Sequence, residues 1–314
     1  MTTSEASRET VGPLTGQVAA PVTETRRARR RRERAEAAAG RLSSPAASTI
    51  AVVIAVLWTI PTLGLFITSF RTQDDIATSG WWYAFVRPLF SAYNYQEALY
   101  GNGNLAQNFI NSFAITIPAV LIPITLALLA AYAFAWIPFR GRNVLFVAVF
   151  ALQIVPIQVT LVPLLSLYSD IGIAGSFWTV WLSHSMFALP LAIFLLHNFM
   201  KDVPPSLVEA ARMDGAGHVT IFFKVLFPLL VPAIAAFGVF QFLWVWNDLL
   251  VALTFASNDA KPLTAAVADL AGTRGNAWYL LSAGAFITMV VPLAVFIGLQ
   301  RFFVRGLLAG SVKG

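Results

Sequence analysis

The sequence predicts an all-α integral membrane protein that crosses the bilayer six times. Of its 314 residues, 58% are hydrophobic and only 11% are charged, and the mean hydropathy is +0.72, values that water-soluble domains do not reach. Charge-free stretches recur along the chain, and each is long enough for the roughly 20 apolar residues of a membrane-spanning helix. Because these stretches are too long for barrel strands, helices are the predicted spanning structure.

Six intervals without Asp, Glu, Lys or Arg each predict one span. The intervals are residues 42–70, 98–139, 143–169, 171–200, 225–247 and 275–300. Because proline removes a backbone donor from a helix, we expect prolines inside these intervals to kink or interrupt the spans. These prolines include Pro118, Pro123, Pro156, Pro163, Pro190, Pro232 and Pro292.

The distribution of positive charge predicts the orientation of the spans. Lys and Arg near helix ends are retained on the cytoplasmic side of a membrane. With the amino terminus inside, the segments assigned to the cytoplasm hold 17 of the 21 Lys and Arg residues, and the segments assigned to the outside hold four. The sequence therefore predicts an even number of spans with both termini cytoplasmic.

Residues 1–45 differ from the rest of the chain, because they hold nine Arg and five Glu among Ala, Thr and Ser. Such a composition cannot bury a core, so we predict a disordered, Arg-rich cytoplasmic tail ahead of a transmembrane domain at residues 46–314. The Arg cluster is interpreted either as an orientation signal or as a site of attraction to anionic lipid. A cleaved signal peptide is not favoured, because the apolar stretch 46–68 is longer than a signal core.

The stretch 201–228 is the only sizeable hydrophilic segment after the tail that this topology assigns to the cytoplasm. Pro204 and Pro205 fit the first turn of a helix, and Asp202 stands where a side chain can cap it. Gly215 tolerates a positive φ and is expected to end the helix. A second apolar stretch then leads into the fifth span.

This segment resembles the cytoplasmic signature loop of permease subunits in binding-protein-dependent ABC importers. The family pattern is EAA, three residues, G, nine residues, and then I, any residue, L and P. Glu209-Ala210-Ala211, Gly215 and Pro228 match it at the same spacing, whereas Val225 and Phe227 replace the Ile and the Leu. The place of the segment between the fourth and fifth spans strengthens the resemblance.

Other segments resemble the maltose-type carbohydrate permeases of that family, in particular the subunit that has a glycine-rich carboxyl-terminal tail. The matching segments are Asp214-Gly215-Ala216, Trp246-Asn247-Asp248 and residues 306–314. The resemblance implies the type I permease fold of ABC importers, a place in the bacterial inner membrane, and ATP-driven import of an oligosaccharide or glycoside. It does not identify the sugar.

The resemblance also implies a division of labour among subunits. A second permease would complete the translocation pathway, two ATPase subunits would bind ATP and Mg²⁺, and an extracytoplasmic binding protein would deliver the sugar. The chain contains no Gly-x-x-x-x-Gly-Lys phosphate-binding loop, so it is expected to bind no nucleotide itself. The residues implied to couple it to the ATPase are Glu209, Ala210, Ala211, Asp214 and Gly215, with Glu209 as the ionic contact.

Four residues of the fifth span are predicted to line the substrate pathway. Gln241, Trp244, Asn247 and Asp248 fall on one side of a helix, and their amide, carboxylate and aromatic groups suit the hydroxyls and the apolar face of a sugar. Asp248 is the single acid of this stretch, and a charge in lipid is costly unless it faces protein or water. Its position near the outer end of the span leaves a second interpretation open, in which the carboxylate is solvated at the membrane interface.

Two other function classes fit the sequence less well. A membrane-embedded enzyme would need a catalytic or metal-binding constellation, and the chain has no Cys, only three His, and neither a His-Glu-x-x-His nor a Gly-x-Ser-x-Gly motif. We therefore predict no catalytic residue, no metal site and no nucleic-acid partner. A self-sufficient secondary carrier for a polar solute is the alternative, although such a carrier normally has ionisable residues at mid-membrane, where only Asp248 is available.

Overall fold

The structure, a computed structural model, describes residues 45–101, 103–273 and 277–311, with only the backbone for residues 272–273 and 301–311. The predicted Arg-rich tail lies outside the described residues except for its last position, and so do the last three residues of the glycine-rich tail. The described chain is mostly helical, which confirms the predicted all-α class.

Five helices of the described chain are long and apolar enough to cross a membrane. Among all helices in chain order, these five are α1 (Pro45–Ser69), α4 (Leu105–Trp136), α7 (Phe177–Asp202), α9 (His218–Trp246) and α12 (Trp278–Ser311). The shorter helices are α2 (Gln73–Thr78), α3 (Tyr93–Tyr100), α5 (Arg142–Ala151), α6 (Ile157–Asp170), α8 (Pro205–Met213), α10 (Leu250–Phe255) and α11 (Leu263–Thr273). The five long helices coincide with the first, second, fourth, fifth and sixth predicted spans.

The third predicted span is divided into two helices. A 3-10 turn, Leu152–Ile154, extends α5 at its end. The axis of this extended helix and the axis of α6 form a bend of 99°. Val155 between them is extended, with ψ 121°, because Pro156 disfavours helical backbone in the residue before it. The bent pair would raise the number of candidate spans to six. The other six prolines that were expected to kink or interrupt spans lie inside continuous helices.

The chain divides into two compact units between Pro61 and Thr62. The described residues of the first unit form the amino-terminal part of α1, and nearly all their side chains are exposed. Trp58, for example, is 82% exposed. An apolar helix with exposed side chains on every face is typical of a membrane span.

In the second unit, α4 packs along α7 through small side chains. Ala127 and Ala131 of α4 and Ala192 of α7 are fully buried. Small side chains let two helix backbones approach closely, which is the usual packing device between membrane helices. The same buried cluster includes Val208 of α8 and Leu226 of α9, so α8 belongs to the folded core.

The segment between α1 and α4 is organised by a buried arginine. Arg71 is 4% exposed, and its guanidinium donates hydrogen bonds to the carbonyl oxygens of Asp75 (2.8 Å) and Ser79 (3.0 Å). Asn94 of α3 donates from Nδ2 to the carbonyl oxygens of Ser69 (2.9 Å) and Arg71 (2.7 Å). These bonds tie α2 and α3 to the end of α1.

The segment after α9 is held by polar side chains of α4. Asn111 donates from Nδ2 to the carbonyl oxygens of Asp259 (2.9 Å) and Lys261 (3.1 Å). The hydroxyl of Ser112 accepts a hydrogen bond of 2.8 Å from the backbone N–H of Leu263, the first residue of α11. α11 is thereby fixed against the beginning of α4.

Candidate coupling loop and pathway

The predicted coupling loop at 201–228 contains α8, which begins at Pro205. Pro204 occupies the N-cap position with ψ 128°, since a residue before proline is driven out of the helical region. Asp202, which was expected to cap this helix, is the last residue of α7. The N-cap position of α8 is therefore Pro204 and not Asp202.

Gly215 ends α8 as predicted. Its φ is +81°, and a Cβ built on it would meet no atom within 4 Å. The backbone N–H of Gly215 donates to the carbonyl oxygen of Arg212 (3.0 Å), and the N–H of Ala216 donates to that of Ala211 (2.9 Å). This pair of bonds is a Schellman motif, which satisfies carbonyls at the helix end. The backbone conformation, and not a lack of space, is therefore what favours glycine here.

α8 has one buried side and one exposed side. Val208 is buried, with 1% of its side chain exposed, and Ala211 packs partly buried against the same cluster. Glu209, Ala210 and Asp214 are exposed. The predicted coupling residues thus lie on, or directly after, a short helix that is held by its buried side, and two of them expose carboxylates.

The arm that follows Gly215, residues 216–226, contacts α4. Tyr132, near the end of α4, is 7% exposed, and its hydroxyl lies 2.7 Å from Nδ1 of His218 at the beginning of α9. The Tyr132 ring also meets the Phe222 ring edge to face, with a centroid distance of 5.4 Å. The sequence analysis missed these residues, because no spacing rule relates positions that are 86 residues apart.

A π-helical segment, Ile221–Leu226, forms the end of the arm and joins it to the rest of α9. The N–H of Phe227 donates to the carbonyl oxygen of Phe222, five residues earlier. Pro228 has no N–H to donate to the carbonyl four residues before it, and its ring crowds that carbonyl, so the regular hydrogen-bond ladder is interrupted at this point. The family-like Pro228 therefore coincides with a local change of helix type.

A cavity of about 490 Å³ lies between three parts of the chain. These parts are the break between α5 and α6, the helix α7 and the helix α9. The lining of the cavity is mostly apolar, with a few polar groups from Gln153, Thr160 and Gln241 and the indole of Trp244. Concave, mostly apolar sites with few polar groups are typical of small-molecule binding. Among the described residues, no group of three His, Asp or Glu side chains is placed to hold a metal ion.

Two of the four predicted pathway residues line this cavity. Gln241 is 2% exposed and donates from Nε2 to the carbonyl oxygen of Ala119 (3.3 Å). Trp244 is partly buried, and its ring meets the ring of His184 edge to face, with a centroid distance of 5.2 Å. The cavity therefore presents an amide and an aromatic ring from the same side of α9.

Asn247 and Asp248 lie beyond the end of α9 at Trp246 and do not line the cavity. Asn247 is exposed, and its side chain donates back to a carbonyl of α9. The carboxylate of Asp248 accepts hydrogen bonds from the N–H groups of Val251 (3.3 Å) and Ala252 (3.0 Å) and so caps α10. Burial raises the pKa of this carboxyl, and the backbone donors oppose the shift. The prediction extended the helical spacing two residues beyond the end of α9.

Comparison with protein families identifies one match. The model of a family described as a binding-protein-dependent transport system inner membrane component matches residues 123–308. This range includes α8, the Gly215 turn, α9 and the residues that line the cavity.

Curated relatives cover most of the chain. The osmoprotective compounds uptake permease protein GgtD of Synechocystis sp. is 53% identical over 268 residues, which are 83% of this chain and 90% of the relative. The alpha-glucoside transport system permease protein AglG of Rhizobium meliloti is 50% identical over 72% of this chain and 61% of the relative. The melibiose/raffinose/stachyose import permease protein MelC of Bacillus subtilis is 32% identical over 84% of this chain and 95% of the relative.

Solved structures share the fold. One chain of a bacterial ABC transporter involved in the import of the acidic polysaccharide alginate aligns with a TM-score of 0.63 and 20% identity, over 82% of this chain and 97% of that one. A chain of the MetNI methionine ABC transporter in an inward-facing conformation aligns with a TM-score of 0.52 and 14% identity, over 65% of this chain and 97% of that one.

Proposed function

The chain belongs to the family of binding-protein-dependent transport system inner membrane components, and we propose that it is a permease subunit of an ABC importer for carbohydrates. The observation that carries this proposal is the α8 loop. Its family-like residues form a capped helix with an exposed Glu209 and a left-handed Gly215, directly before the helix that begins at His218. Such a loop is suited to dock against a separate motor protein.

For the topology, we propose six spans with both termini in the cytoplasm and the bent α5–α6 pair as the third span. The contact between Tyr132 and His218 supports this topology, because such a contact requires the end of α4 and the beginning of α9 to lie on one side of the membrane. The same side holds Arg140 in the loop after α4 and Arg142 at the beginning of α5, as expected for the cytoplasm. The proposed location is the bacterial inner membrane.

The proposed partners are a second permease subunit, two ATPase subunits that bind ATP and Mg²⁺, and an extracytoplasmic sugar-binding protein. α8 would dock into the ATPase, with Glu209 as an ionic contact. Closure of the ATPase dimer would move residues 203–226 as a unit and shift the bundle between inward-facing and outward-facing states, because nucleotide binds those states with different affinity.

The proposed substrate is an oligosaccharide or glycoside. Two of the relatives are named for alpha-glucosides and for melibiose, raffinose and stachyose. The cavity offers what a sugar ring requires, namely amide and hydroxyl groups for its hydroxyls and the Trp244 indole for its apolar face. We propose that Gln241 and Trp244 contact the passing sugar and that Asp248 supports the segment beside them.

Reconstitution tests this function. The tagged chain, purified from its own cells in mild detergent, is expected to carry a second permease and an ATPase. In proteoliposomes with the binding protein outside and ATP inside, the complex should accumulate radiolabelled maltose, trehalose or melibiose. Uptake that needs no ATPase and follows an ion gradient would instead establish a secondary carrier.

A further inference from the structure

The arm after the coupling helix is attached to the core at a second point. Besides the 2.7 Å contact with Nδ1 of His218, the hydroxyl of Tyr132 lies 3.4 Å from the His218 carbonyl oxygen. The Tyr132 ring packs against the rings of His218 and Phe222, with centroid distances of 5.9 and 5.4 Å. One buried side chain of α4 therefore contacts both the beginning of the arm and its π-helical segment.

The arm needs such an attachment because the backbone can bend easily at both of its ends. Gly215 stands directly before the arm and Gly217 near its beginning, and glycine has the largest conformational freedom of any residue. On the other side, the π-helical segment and Pro228 interrupt the regular hydrogen bonds of α9. A displacement of α8 would be absorbed at these two places if the arm were free to bend.

We propose that Tyr132 is a positioning residue for energy coupling. Its hydroxyl fastens His218 to α4, so that a displacement of the coupling loop moves α4 and α9 together instead of bending the arm. The role rests on the proposed function as an importer subunit, since it concerns force received from an ATPase. Tyr132 itself is buried and does not line the cavity.

The test compares Tyr132→Phe with Tyr168→Phe in the complete complex. Tyr168 is a matched control, because its buried hydroxyl also has a side-chain partner, the Ser183 hydroxyl at 3.0 Å, but lies away from the loop. Tyr132→Phe should lower the amount of maltose transported per ATP by about two- to tenfold, the range expected for one net hydrogen bond. Tyr168→Phe should leave this ratio unchanged.

A distance measurement separates positioning from a general loss of structure. The chain has no cysteine, so spin labels can be placed at Arg140→Cys after α4 and Lys224→Cys on the arm, both exposed positions. With Tyr132 present, the distance between the labels should be the same without nucleotide and after trapping with ATP and vanadate. In Tyr132→Phe it should change on trapping, and His218→Ala should have the same effect.

The outcomes are distinct. A wild-type complex without ATP-dependent uptake would overturn the proposed function and this role with it. A coupled wild-type complex in which Tyr132→Phe keeps the normal transport ratio and a constant label distance would overturn this role alone. If Tyr132→Phe does not assemble, His218→Ala decides, since normal coupling in that variant would refute the attachment.

Discussion

His184 of α7 faces Asp248, the residue that caps α10, with Nε2 of the histidine 3.7 Å from Oδ2 of the aspartate. The imidazole is 1% exposed and also packs edge to face on Trp244. One histidine thus connects a residue that lines the cavity with the segment that follows α9. The backbone carbonyl of Asp248 accepts a further bond from the hydroxyl of Thr264 in α11 (2.7 Å).

Replacing Asp248 tests whether it acts as a cap. Asp248→Ala removes the acceptor of two backbone N–H groups and should lower the free energy of unfolding by about 1 kcal/mol. Asp248→Asn keeps an oxygen acceptor and should retain most of the stability. Thermal unfolding of the purified complex in detergent measures both. Unchanged stability of Asp248→Ala would contradict the capping role, and an Asn variant that is stable but does not transport would assign the charge to the pathway.

Gly215 and Gly217 form a matched pair for testing the turn after α8. Gly215→Ala places a side chain on a residue with left-handed backbone, at a cost of about 1–2 kcal/mol. Gly217 has a φ of −73° and open space around an added Cβ, so Gly217→Ala should cause no such strain. We expect Gly215→Ala to reduce ATP-driven uptake several-fold while the protein still inserts into the membrane. Gly217→Ala should transport normally. Equal uptake by the two variants would show that the left-handed turn is not required.

The structure shows why some of these features were predictable and others were not. The end of α8 at Gly215 depends on local backbone preferences, which a short motif contains. The break at Pro156 was one of seven similar candidates, and proline alone does not determine which helix will be interrupted. Asp248 was placed on α9, although it lies beyond the end of that helix, because periodicity does not indicate where a helix ends. The contact of Tyr132 with His218 is tertiary and leaves no local pattern.

Glu209 should govern the affinity of the subunit for its ATPase. Glu209→Lys reverses an exposed charge on α8, and a like-charge contact across an interface costs several kcal/mol. The variant should lose ATPase from the purified complex, with an affinity lowered by more than about tenfold, yet be present in the membrane at normal levels. Asp170→Lys reverses an exposed acid at the end of α6 and should retain the ATPase. Normal ATPase binding and uptake by Glu209→Lys would refute the ionic contact.

The cavity can be tested through Trp244, since stacking on an aromatic ring stabilises a sugar independently of its hydroxyl pattern. Trp244→Ala should raise the KM for uptake about two- to twelvefold, the effect of losing roughly 0.5–1.5 kcal/mol of aromatic contact. Trp178→Ala is the control, because Trp178 is 56% exposed at the beginning of α7 and does not line the cavity. Gln241→Leu should act in the same direction as Trp244→Ala, as it removes an amide from the wall. If both variants keep the wild-type KM with every transported sugar, the pathway must run elsewhere, and the cavity would serve only as space between helices.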